Sequence, residues 1–474
     1  MHGFETAGPG PEITVQTGPW WKELNRYHWF VLIVAALGWL FDTMDQQLFN
    51  LARMPAMREL LAVKGQTPAE LKIEVDFYGP LATSIFMIGW ATGGLIFGVL
   101  GDRVGRAKVM LWTILIYSVC TGLSAFSVGF WDFAFYRFLT GLGVGGEFAV
   151  GVSLVAEVMP SRARPFALGL LQALSAVGNI AAALMNIALG QVESQGGLEH
   201  LAVGDTPVKA WRILFLVGTV PALLAIFIRR NLKEPETWRA QHDAGTGKQL
   251  GSFEELFGDP RWRRNAITGL IMASSGIIGL WGIGFFSFDL LTPVFRKHFE
   301  GLGLAENVVS GKVAMWVGIT SVMQNIGGFL GIYAYSQLTH VFGRKPAFAV
   351  SFVAALASTA LVFSQLDQFH EIFWMIPLMG FCQLALFGGY AIYFPELFPT
   401  RLRSTGTSFC YNVGRYVAAG GPFALGMLTS RVFTIANGYP EGIRYAGVTM
   451  CSVFLIGLLA LPFAPETRGQ PLPE

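Results

Sequence analysis

Twelve apolar stretches of about 20 residues constrain this chain of 474 residues more than any other feature, because a stretch of that length spans a bilayer as a helix. Only 14% of the residues are charged, whereas soluble domains carry about 25%. The sequence therefore predicts an all-α integral membrane protein, with twelve transmembrane helices in two six-helix bundles. The stretches cover residues 28–50, 77–100, 108–128, 132–157, 166–190, 210–229, 265–292, 312–337, 346–364, 370–395, 406–430 and 442–463.

The longest polar segment between two stretches, residues 230–264, divides the helices six and six. We therefore expect bundles at 28–229 and 265–463, joined by a central loop. Residues 1–27 are polar and rich in Gly, Pro and Thr, which predicts a disordered tail, and 464–474 form the second tail. The bias of Lys and Arg between the loops places both tails and the central loop in the cytoplasm, as in a multi-pass protein of the plasma or inner membrane.

Charge and cysteine usage exclude several classes of function. A net charge of +2 gives no basic surface for nucleic acid. All four cysteines lie inside apolar stretches at no metal-like spacing, so they indicate small core residues. The sequence has no Walker loop and no nucleophile–base pattern. We therefore expect no enzyme activity, cofactor or metal, and a monomer whose partners are the lipid bilayer, a small organic molecule and protons.

The two halves of the chain repeat each other. The pattern Glu-x-x-Pro-x-x-x-Arg at 157–164 recurs at 396–403, and a Gly-Arg pair at 105–106 recurs at 343–344. A Pro-Glu-Thr run follows both the sixth and the twelfth stretch. Matches in the same order predict two parallel six-helix repeats with their basic turns on one face.

The turn between the second and third stretches reads GDRVGR at 101–106 and is followed by Lys108. Together with the twelve stretches and the repeat, it resembles the signature loop of the major facilitator superfamily, a similarity that covers residues 29–470. We call residues 101–108 the first loop copy and residues 336–345 the second. The second copy is degenerate, which predicts that closure of the cytoplasmic gate depends more on the first. The resemblance implies a gating role for Gly101, Asp102, Arg103, Gly105, Arg106, Glu157, Arg164, Glu396 and Arg403.

Two further stretches narrow the resemblance. The run RFLTGLGVGGE at 137–147 is similar to the fourth helix of metabolite:proton symporters for lactate, sialate and aromatic acids, and Asp42-x-x-Asp45 is similar to the paired aspartates of aromatic-acid symporters. The Pro-Glu-Thr runs are also similar to those of sugar porters, where an aspartate of helix one and an arginine of helix four couple protons. The amide cluster of sugar porters is missing from 274–289, so the organic-acid group fits better.

Four charged residues in apolar helices are candidates for proton coupling: Asp45, Glu147, Asp42 and Arg137. A carboxylate at bilayer depth needs a partner or water. Asp42 and Asp45 share a helix face, so at least one of them should hold a proton. Alternatively, both are hydrated at the outer mouth, Glu147 is a permanently protonated structural group, and Arg137 anchors a helix end.

Arg415 lies about ten residues inside the eleventh stretch, and its guanidinium is suited to bidentate recognition of a carboxylate. An internal ion pair with Asp289 or Glu147 is the alternative. Other predicted substrate contacts are polar or aromatic side chains at similar depth: Asn412, Tyr411, Gln383, Tyr390, Gln324, Asn325, Trp281 and Phe285. The sequence thus predicts a secondary active transporter for proton-coupled uptake of a small organic anion, such as a monocarboxylate, by alternating access. A sugar or polyol porter or facilitator of the same superfamily is the alternative.

Overall fold

The computed structural model is almost entirely helical and describes most of the chain. The described residues are 19–63, 66–194, 198, 202–203, 206–223, 232–243, 250–283, 287–304, 306–418, 421–433, 438 and 441–473.

Seventeen α-helices are defined in this part of the chain. They are α1 Arg26–Leu60, α2 Pro68–Val104, α3 Arg106–Ser124, α4 Phe130–Val158, α5 Arg164–Ser194, α6 Ala210–Val217, α7 Glu236–Asp243, α8 Phe253–Gly258, α9 Pro260–Ile277, α10 Ser287–Gly301, α11 Glu306–Phe342, α12 Arg344–Gln365, α13 Ile372–Tyr393, α14 Arg403–Ala418, α15 Gly421–Met427, α16 Gly442–Met450 and α17 Val453–Ala460.

Shorter elements complete the secondary structure. Turns of 3₁₀ helix are Trp20–Glu23, Phe369–Glu371, Phe394–Leu397, Thr400–Leu402 and Leu461–Phe463, and π-helical turns are Ile278–Ile283 and Leu428–Val432. One antiparallel ladder joins β1 (Ala202–Val203) to β2 (Thr206–Pro207).

Nine helices of the described part are long and apolar enough to cross a membrane. Of the other three predicted spans, the sixth corresponds to the shorter apolar helix Ala210–Leu223. The eighth lies within α11, and the eleventh runs through α14 and α15, between which residues 419–420 are outside the described part of the chain. The predicted boundary at 229–230 also lies outside them.

Helix α4 packs between α2 and α3 because its glycines leave space for their backbones. A Cβ on Gly141 would lie 2.8 Å from the backbone nitrogen of Trp90 in α2, and one on Gly143 would lie 2.7 Å from that of Tyr117 in α3. Inside lipid, such close approach replaces the hydrophobic effect as the force between helices. A larger residue at either position would separate the helices.

The helices pack as two groups, α1–α6 and α9–α17, which meet along the pairs α2–α14 and α5–α11. Gly105, with φ 118°, and Gly343, with φ 95°, form the sharp turns α2–α3 and α11–α12, in a backbone region that favours glycine. Two segments near the ends of the described chain lie on the face of these turns: Glu23 pairs with Arg162 at 2.6 Å, and Glu466 contacts the second turn. We call this face the loop face.

Two predicted loop regions contain more structure than the sequence suggested. Part of the predicted disordered tail is folded: Trp20 lies in a 3₁₀ turn and stacks on Phe166 with ring centroids 5.6 Å apart. The predicted central loop 230–264 contains α7, α8 and the start of α9. Helix α8 begins where the Ser252 hydroxyl accepts a hydrogen bond from the Glu255 backbone.

Candidate functional site

A cavity of about 80 Å³ lies between the two bundles. Trp39, one of its lining residues, lies about 20 Å along α1 from the start of that helix, at a rise of 1.5 Å per residue. The volume of the cavity corresponds to two or three waters at about 30 Å³ each, so a ring-sized molecule requires the lining to move. The lining residues are Trp39, Thr43, Gln46, Gln47, Asn50, Trp90, Gln172, Ser175, Asn179, Leu280, Trp281, Leu384, Phe387, Tyr411 and Arg415.

Arg415 carries the positive charge of this lining and is 97% buried, with 3% of its surface exposed. Its guanidinium carbon lies 4.0 Å from the ring centroid of Trp90 and 4.5 Å from that of Tyr411. Its Nη1 donates to the Tyr411 carbonyl at 2.6 Å and to Asn412 Oδ1 at 3.0 Å. The Nε atom has no hydrogen-bond partner. The guanidinium is therefore held by aromatic rings and helix α14, and its Nε is left without a partner.

No carboxylate in the described part of the chain forms an ion pair with Arg415. Of the two alternative partners, Glu147 contacts Asp42 on the neighbouring helix, and the side chain of Asp289 lies outside the described residues. A buried guanidinium without an anion is costly, so this cavity favours an anionic ligand.

Asp42 on α1 and Glu147 on α4 point their carboxyl groups at each other. Both are about 99% buried, and no donor from another described residue reaches either group. Gly38 makes room for this contact, since a Cβ there would collide with Glu147 Oε1. Two ionised carboxylates are both acceptors, so they can bond only through a proton held between them. The pair is inside the N-terminal bundle and is not part of the cavity lining.

Asp45 pairs with Arg137 in the same bundle. Arg137 Nη1 lies 3.6 Å from Asp45 Oδ2, and both side chains are fully buried. Asp45 Oδ1 accepts from the Thr121 hydroxyl at 2.6 Å, and Arg137 donates to Ser124 and Thr140 at 3.0 Å. The structure therefore joins the two residues whose coupling the sugar-porter resemblance implied. Both aspartates are buried rather than exposed at an outer mouth, and Arg137 contacts Asp45 of α1 and Ser124 of α3.

Several predicted substrate contacts lie elsewhere, because their polar atoms bond inside the C-terminal bundle. Gln383 donates to Thr359 at 2.7 Å, and Tyr390 donates to the carbonyl of Met272 at 2.6 Å. Gln324 is buried outside the lining. None of these three side chains is part of the cavity lining in this structure.

Three other predicted contacts have different positions. Asn325 accepts a hydrogen bond from Asn179 at 3.0 Å, so it supports the lining from α11 across the bundle boundary. Asn412, one turn earlier on α14, accepts a hydrogen bond from Arg415. Trp281 does line the cavity, from the π-helical turn that interrupts the seventh span, a geometry frequent at functional sites. Phe285 lies outside the described residues.

Sequence analysis missed most of the lining contributed by the N-terminal bundle. On α5, Gln172, Ser175 and Asn179 fall at helical spacing within an otherwise apolar helix, and this periodic polar stripe was a detectable signal. On α1, the run of Gln46, Gln47 and Asn50 was another. Nothing in the sequence distinguished Trp39 or Trp90 from packing aromatics.

Asp102 of the first loop copy binds the opposite bundle at the loop face. It accepts hydrogen bonds from the backbone of Ser404 at 3.1 Å and of Thr405 at 2.8 Å, and from the Thr405 hydroxyl at 2.6 Å. Arg106 of its own bundle donates to it at 2.8 Å. Asp102 thus caps the N-terminus of α14, where a carboxylate opposes the helix dipole favourably.

Glu157 joins the bundles a second time. Its Oε1 accepts from Arg106 at 3.1 Å and from Arg403 of the C-terminal bundle at 2.7 Å. Arg106 also donates to the carbonyl of Thr400 at 2.5 Å. We call Asp102, Arg106, Glu157 and Arg403, with the α14 N-terminus, the first latch.

The remaining predicted gating residues surround this latch. Arg103 donates to the carbonyl of Leu250 at 2.9 Å. A Cβ on Gly101 would lie 2.6 Å from the Ser404 hydroxyl, so only glycine allows this close contact between bundles. Arg164 donates to the carbonyl of Ala156 at 2.8 Å, within its own bundle.

The second loop copy repeats the internal contacts. Arg344 forms a bidentate pair with Glu396, at 3.0 and 2.8 Å. Glu466 of the C-terminal tail accepts from the backbone of Arg344 at 2.9 Å and of Lys345 at 3.0 Å, so it caps α12. At the corresponding turn, the cap of α3 is Glu234, two residues before the glutamate that the repeated Pro-Glu-Thr run suggested.

Comparison with known proteins relates the whole chain to membrane transporters. The family model described as Major Facilitator Superfamily matches residues 36–422. A Haemophilus influenzae protein provisionally named a metabolite transport protein is 30% identical over 95% of this chain and 99% of its own. The niacin transporter of Acinetobacter baylyi is 26% identical over 95% and 96%. The structure of the proton:xylose symporter XylE has a TM-score of 0.71 at 15% identity, over 94% of this chain and 98% of that one.

Proposed function

The chain belongs to the major facilitator superfamily, and from this premise we propose that it takes up a small organic monocarboxylate together with protons. The family membership confirms the predicted fold of twelve spans in two bundles and identifies a transporter rather than an enzyme. The substrate class and the coupling ion are our proposal, and they rest on the cavity and on the buried carboxyl pair.

One observation carries the substrate class: the buried guanidinium of Arg415 faces the cavity with a free Nε and no carboxylate partner in the described part of the chain. A substrate carboxylate would supply the missing anion and accept from Nε. The aromatic lining from Trp90, Trp281 and Phe387 suits a planar, unsaturated or aromatic acid. The A. baylyi relative, named for niacin, an aromatic monocarboxylate, agrees with this chemistry.

The proton site in this proposal is the contact between Asp42 and Glu147, with the Asp45–Arg137 pair beside it. A carboxyl pair that needs a shared proton has two states, and those states differ in charge. Gain or loss of that proton changes how Asp42 on α1 packs against α4. Because Trp39 and Thr43 of α1 line the cavity, the helix that senses the proton also touches the substrate.

Transport in proteoliposomes tests the proposal. Wild-type protein should accumulate radiolabelled nicotinate when the outside is more acidic, and Arg415→Lys should lose most of this uptake because an ammonium cannot form the bidentate contact. Arg137→Lys is the matched control, a buried arginine outside the lining: it should impair gradient-driven uptake while nicotinate still binds. Uptake that ignores the pH gradient would refute proton coupling.

Exchange at equal concentrations separates coupling from binding. Glu147→Gln and Asp42→Asn should abolish uphill uptake yet keep counterflow, which needs only the loaded carrier to reorient. Loss of both activities in both variants, with folding intact, would assign these carboxyls a structural role.

A sugar or polyol is the second candidate, because five amide side chains line the cavity from the N-terminal bundle: Gln46, Gln47, Asn50, Gln172 and Asn179. Amides suit hydroxyl groups. If a neutral polyol is the substrate, its transport should survive Arg415→Gln, and organic acids should not compete with it.

A further inference from the structure

Asn412 is a fully buried amide at the boundary between the two bundles, and both of its polar atoms are bonded. Its Oδ1 accepts from Arg415 Nη1 at 3.0 Å. Its Nδ2 donates to the carbonyl of Gly145 at 3.2 Å and to the Ser408 hydroxyl at 3.0 Å. Arg415 and Ser408 belong to α14, whereas Gly145 belongs to α4 of the N-terminal bundle. Asn412 therefore joins the guanidinium of the cavity to the backbone of the opposite bundle.

Two glycines of the N-terminal bundle leave the space for this amide. A Cβ on Gly145 of α4 would lie 2.6 Å from the backbone nitrogen of Gly94 of α2, and a Cβ on Gly94 would overlap the Asn412 amide. The Ser408 hydroxyl donates to the Gly94 carbonyl beside it. The amide fits in one orientation only, because the reverse would direct its oxygen at a carbonyl and its N–H groups at a guanidinium.

A second contact joins the same turn of α4 to Arg415. The ring of Phe148 stacks on that of Tyr411 across the boundary, with centroids 4.0 Å apart. The Tyr411 carbonyl is the other acceptor of Arg415 Nη1, at 2.6 Å. Both acceptors that hold Nη1 therefore belong to residues of α14 that contact α4 between Gly145 and Phe148. The same turn of α4 contains Glu147 of the proposed proton site.

Opening at the loop face would remove the α4 side of this arrangement. Asn412 lies nine residues, or about 14 Å, from the loop-face end of α14, and Arg415 lies one turn further from that face. When α4 moves away from α14, the amide loses the Gly145 carbonyl, and an unpaired buried N–H is costly. The amide would turn toward another acceptor, and its oxygen would no longer hold Arg415 Nη1.

We infer that Asn412 is a positioning residue, which holds Arg415 in its binding orientation only while the bundles are in contact on the loop-face side of the cavity. A carboxylate then binds more tightly when the loop face is closed than when it is open. This inference rests on the proposed function, because it takes the substrate carboxylate at Arg415 as given. By thermodynamic linkage, the bound carboxylate favours closure of the loop face by the same factor.

Cysteine labelling with and without nicotinate tests the inference. Saturating nicotinate should slow the labelling of a single cysteine on the loop-face side of the cavity about tenfold in otherwise wild-type protein. In Asn412→Leu, which has a similar size and no polar side-chain atoms, nicotinate should slow labelling less than about threefold. While the closed state predominates, this factor is the ratio of the nicotinate affinities of the two states. A role confined to holding the bundles together would change the labelling rate without nicotinate and leave the factor unchanged.

Ser408→Ala is the matched control, because it removes a bond across the same boundary and leaves the bond between Asn412 and Arg415 intact. Its labelling without nicotinate should be faster than that of wild type, and nicotinate should still slow it about tenfold. Asn412→Ala should behave like Asn412→Leu and replaces it if the leucine variant does not fold. Thermal unfolding in detergent and equilibrium nicotinate binding confirm that each variant is folded and saturated.

The outcomes separate this inference from the proposed function. A tenfold effect of nicotinate that persists in the Asn412 variants, or is lost equally in Ser408→Ala, would overturn the positioning role and leave the monocarboxylate proposal standing. Nicotinate that binds wild-type protein through Arg415 without changing its labelling would do the same. Failure of nicotinate and other organic acids to bind would refute the proposed function, and the positioning role with it.

Discussion

The first and second loop copies share one set of contacts inside their bundles and differ in what they offer to the other bundle. In each copy an arginine, Arg106 or Arg344, pairs with a glutamate of the same bundle. In each copy a glutamate also caps the following helix. This common part builds the turn and is needed whether the loop face is open or closed.

The difference lies between the bundles. Asp102 caps α14 of the opposite bundle with three hydrogen bonds, and Glu157 reaches Arg403. At the second copy His340 replaces the aspartate and lies against Phe166 of α5, with ring centroids 5.0 Å apart. Glu396 is the counterpart of Glu157. In the described part of the chain it bonds within its own half of the molecule, to Arg344 and to Thr467 of the C-terminal tail.

The helices that the two copies contact in the opposite bundle, α14 and α5, differ as well. At the start of α5, Pro165 occupies the place that Ser404 has in α14, and Phe166 occupies that of Thr405. Proline has no backbone N–H and phenylalanine has no hydroxyl, so two of the three donors that Asp102 uses are missing. Loop and contacted helix are therefore matched on each side, with a polar latch at the first copy and an aromatic contact at the second.

The largest expected effect is that of Asp102→Asn. An amide would direct N–H groups at the Ser404 and Thr405 donors, weaken the cap, and shift the carrier toward opening at the loop face by about 3 kcal/mol, or about 100-fold. Cysteines placed on the loop-face side of the cavity should react faster with a thiol reagent than in wild type. An unchanged labelling rate would deny the first latch a gating role.

A paired comparison of Glu157→Gln with Glu396→Gln should give the next largest effect. Glu157 joins both bundles, so its neutralisation should speed the same labelling about tenfold. Glu396 bonds within its own bundle, so its neutralisation should lower the temperature of thermal unfolding without changing the labelling. Equal labelling in the two variants would contradict the assignment of a cross-bundle role to the first copy alone.

A smaller effect is expected when the second copy is converted toward the first. His340→Asp alone should change labelling less than about threefold, because α5 offers an aspartate few donors. Adding Pro165→Ser and Phe166→Thr should slow loop-face labelling below the wild-type rate by rebuilding a polar latch. If His340→Asp alone slowed it as much, the matching of loop and helix would be disproved.

The smallest predicted effect concerns the cap that both copies share. Burial raises the pKa of Glu466, but hydrogen bonds from the backbone of Arg344, Lys345 and Arg468 outweigh it, so the net pKa is lowered. A lowered pKa means that its stabilisation is complete above the ordinary value of about 4.5 and is lost as the pH falls through the lower, folded value. Glu466→Gln should therefore cost about 0.5–1 kcal/mol at pH 7, and its thermal unfolding should approach that of wild type on acidification. A gap that widens in acid would contradict the sign.

The span pattern and the repeated motifs predicted much of the fold, because length and hydropathy determine what crosses a bilayer. The charged residues of α1 and α4 were recognisable for the same reason. Sequence spacing could not show that Asp42 meets Glu147 rather than Asp45, since that depends on how α1 packs on α4. Gln383 and Tyr390 were assigned to the lining because polarity at depth does not reveal which face of a helix meets a neighbour. The role of Trp90 could not be predicted either, because it depends on the ring lying beneath the Arg415 guanidinium.

We propose that Arg415 binds the substrate carboxylate, and equilibrium binding of nicotinate and nicotinamide is the sharpest test of that role. The two molecules have nearly the same shape and differ in the charge of the group that Arg415 should meet. We expect wild-type protein to bind nicotinate at least about tenfold more tightly than nicotinamide, and Arg415→Gln to remove this preference while the protein stays folded. Retention of the full preference in Arg415→Gln, or no preference in the wild type, would contradict it.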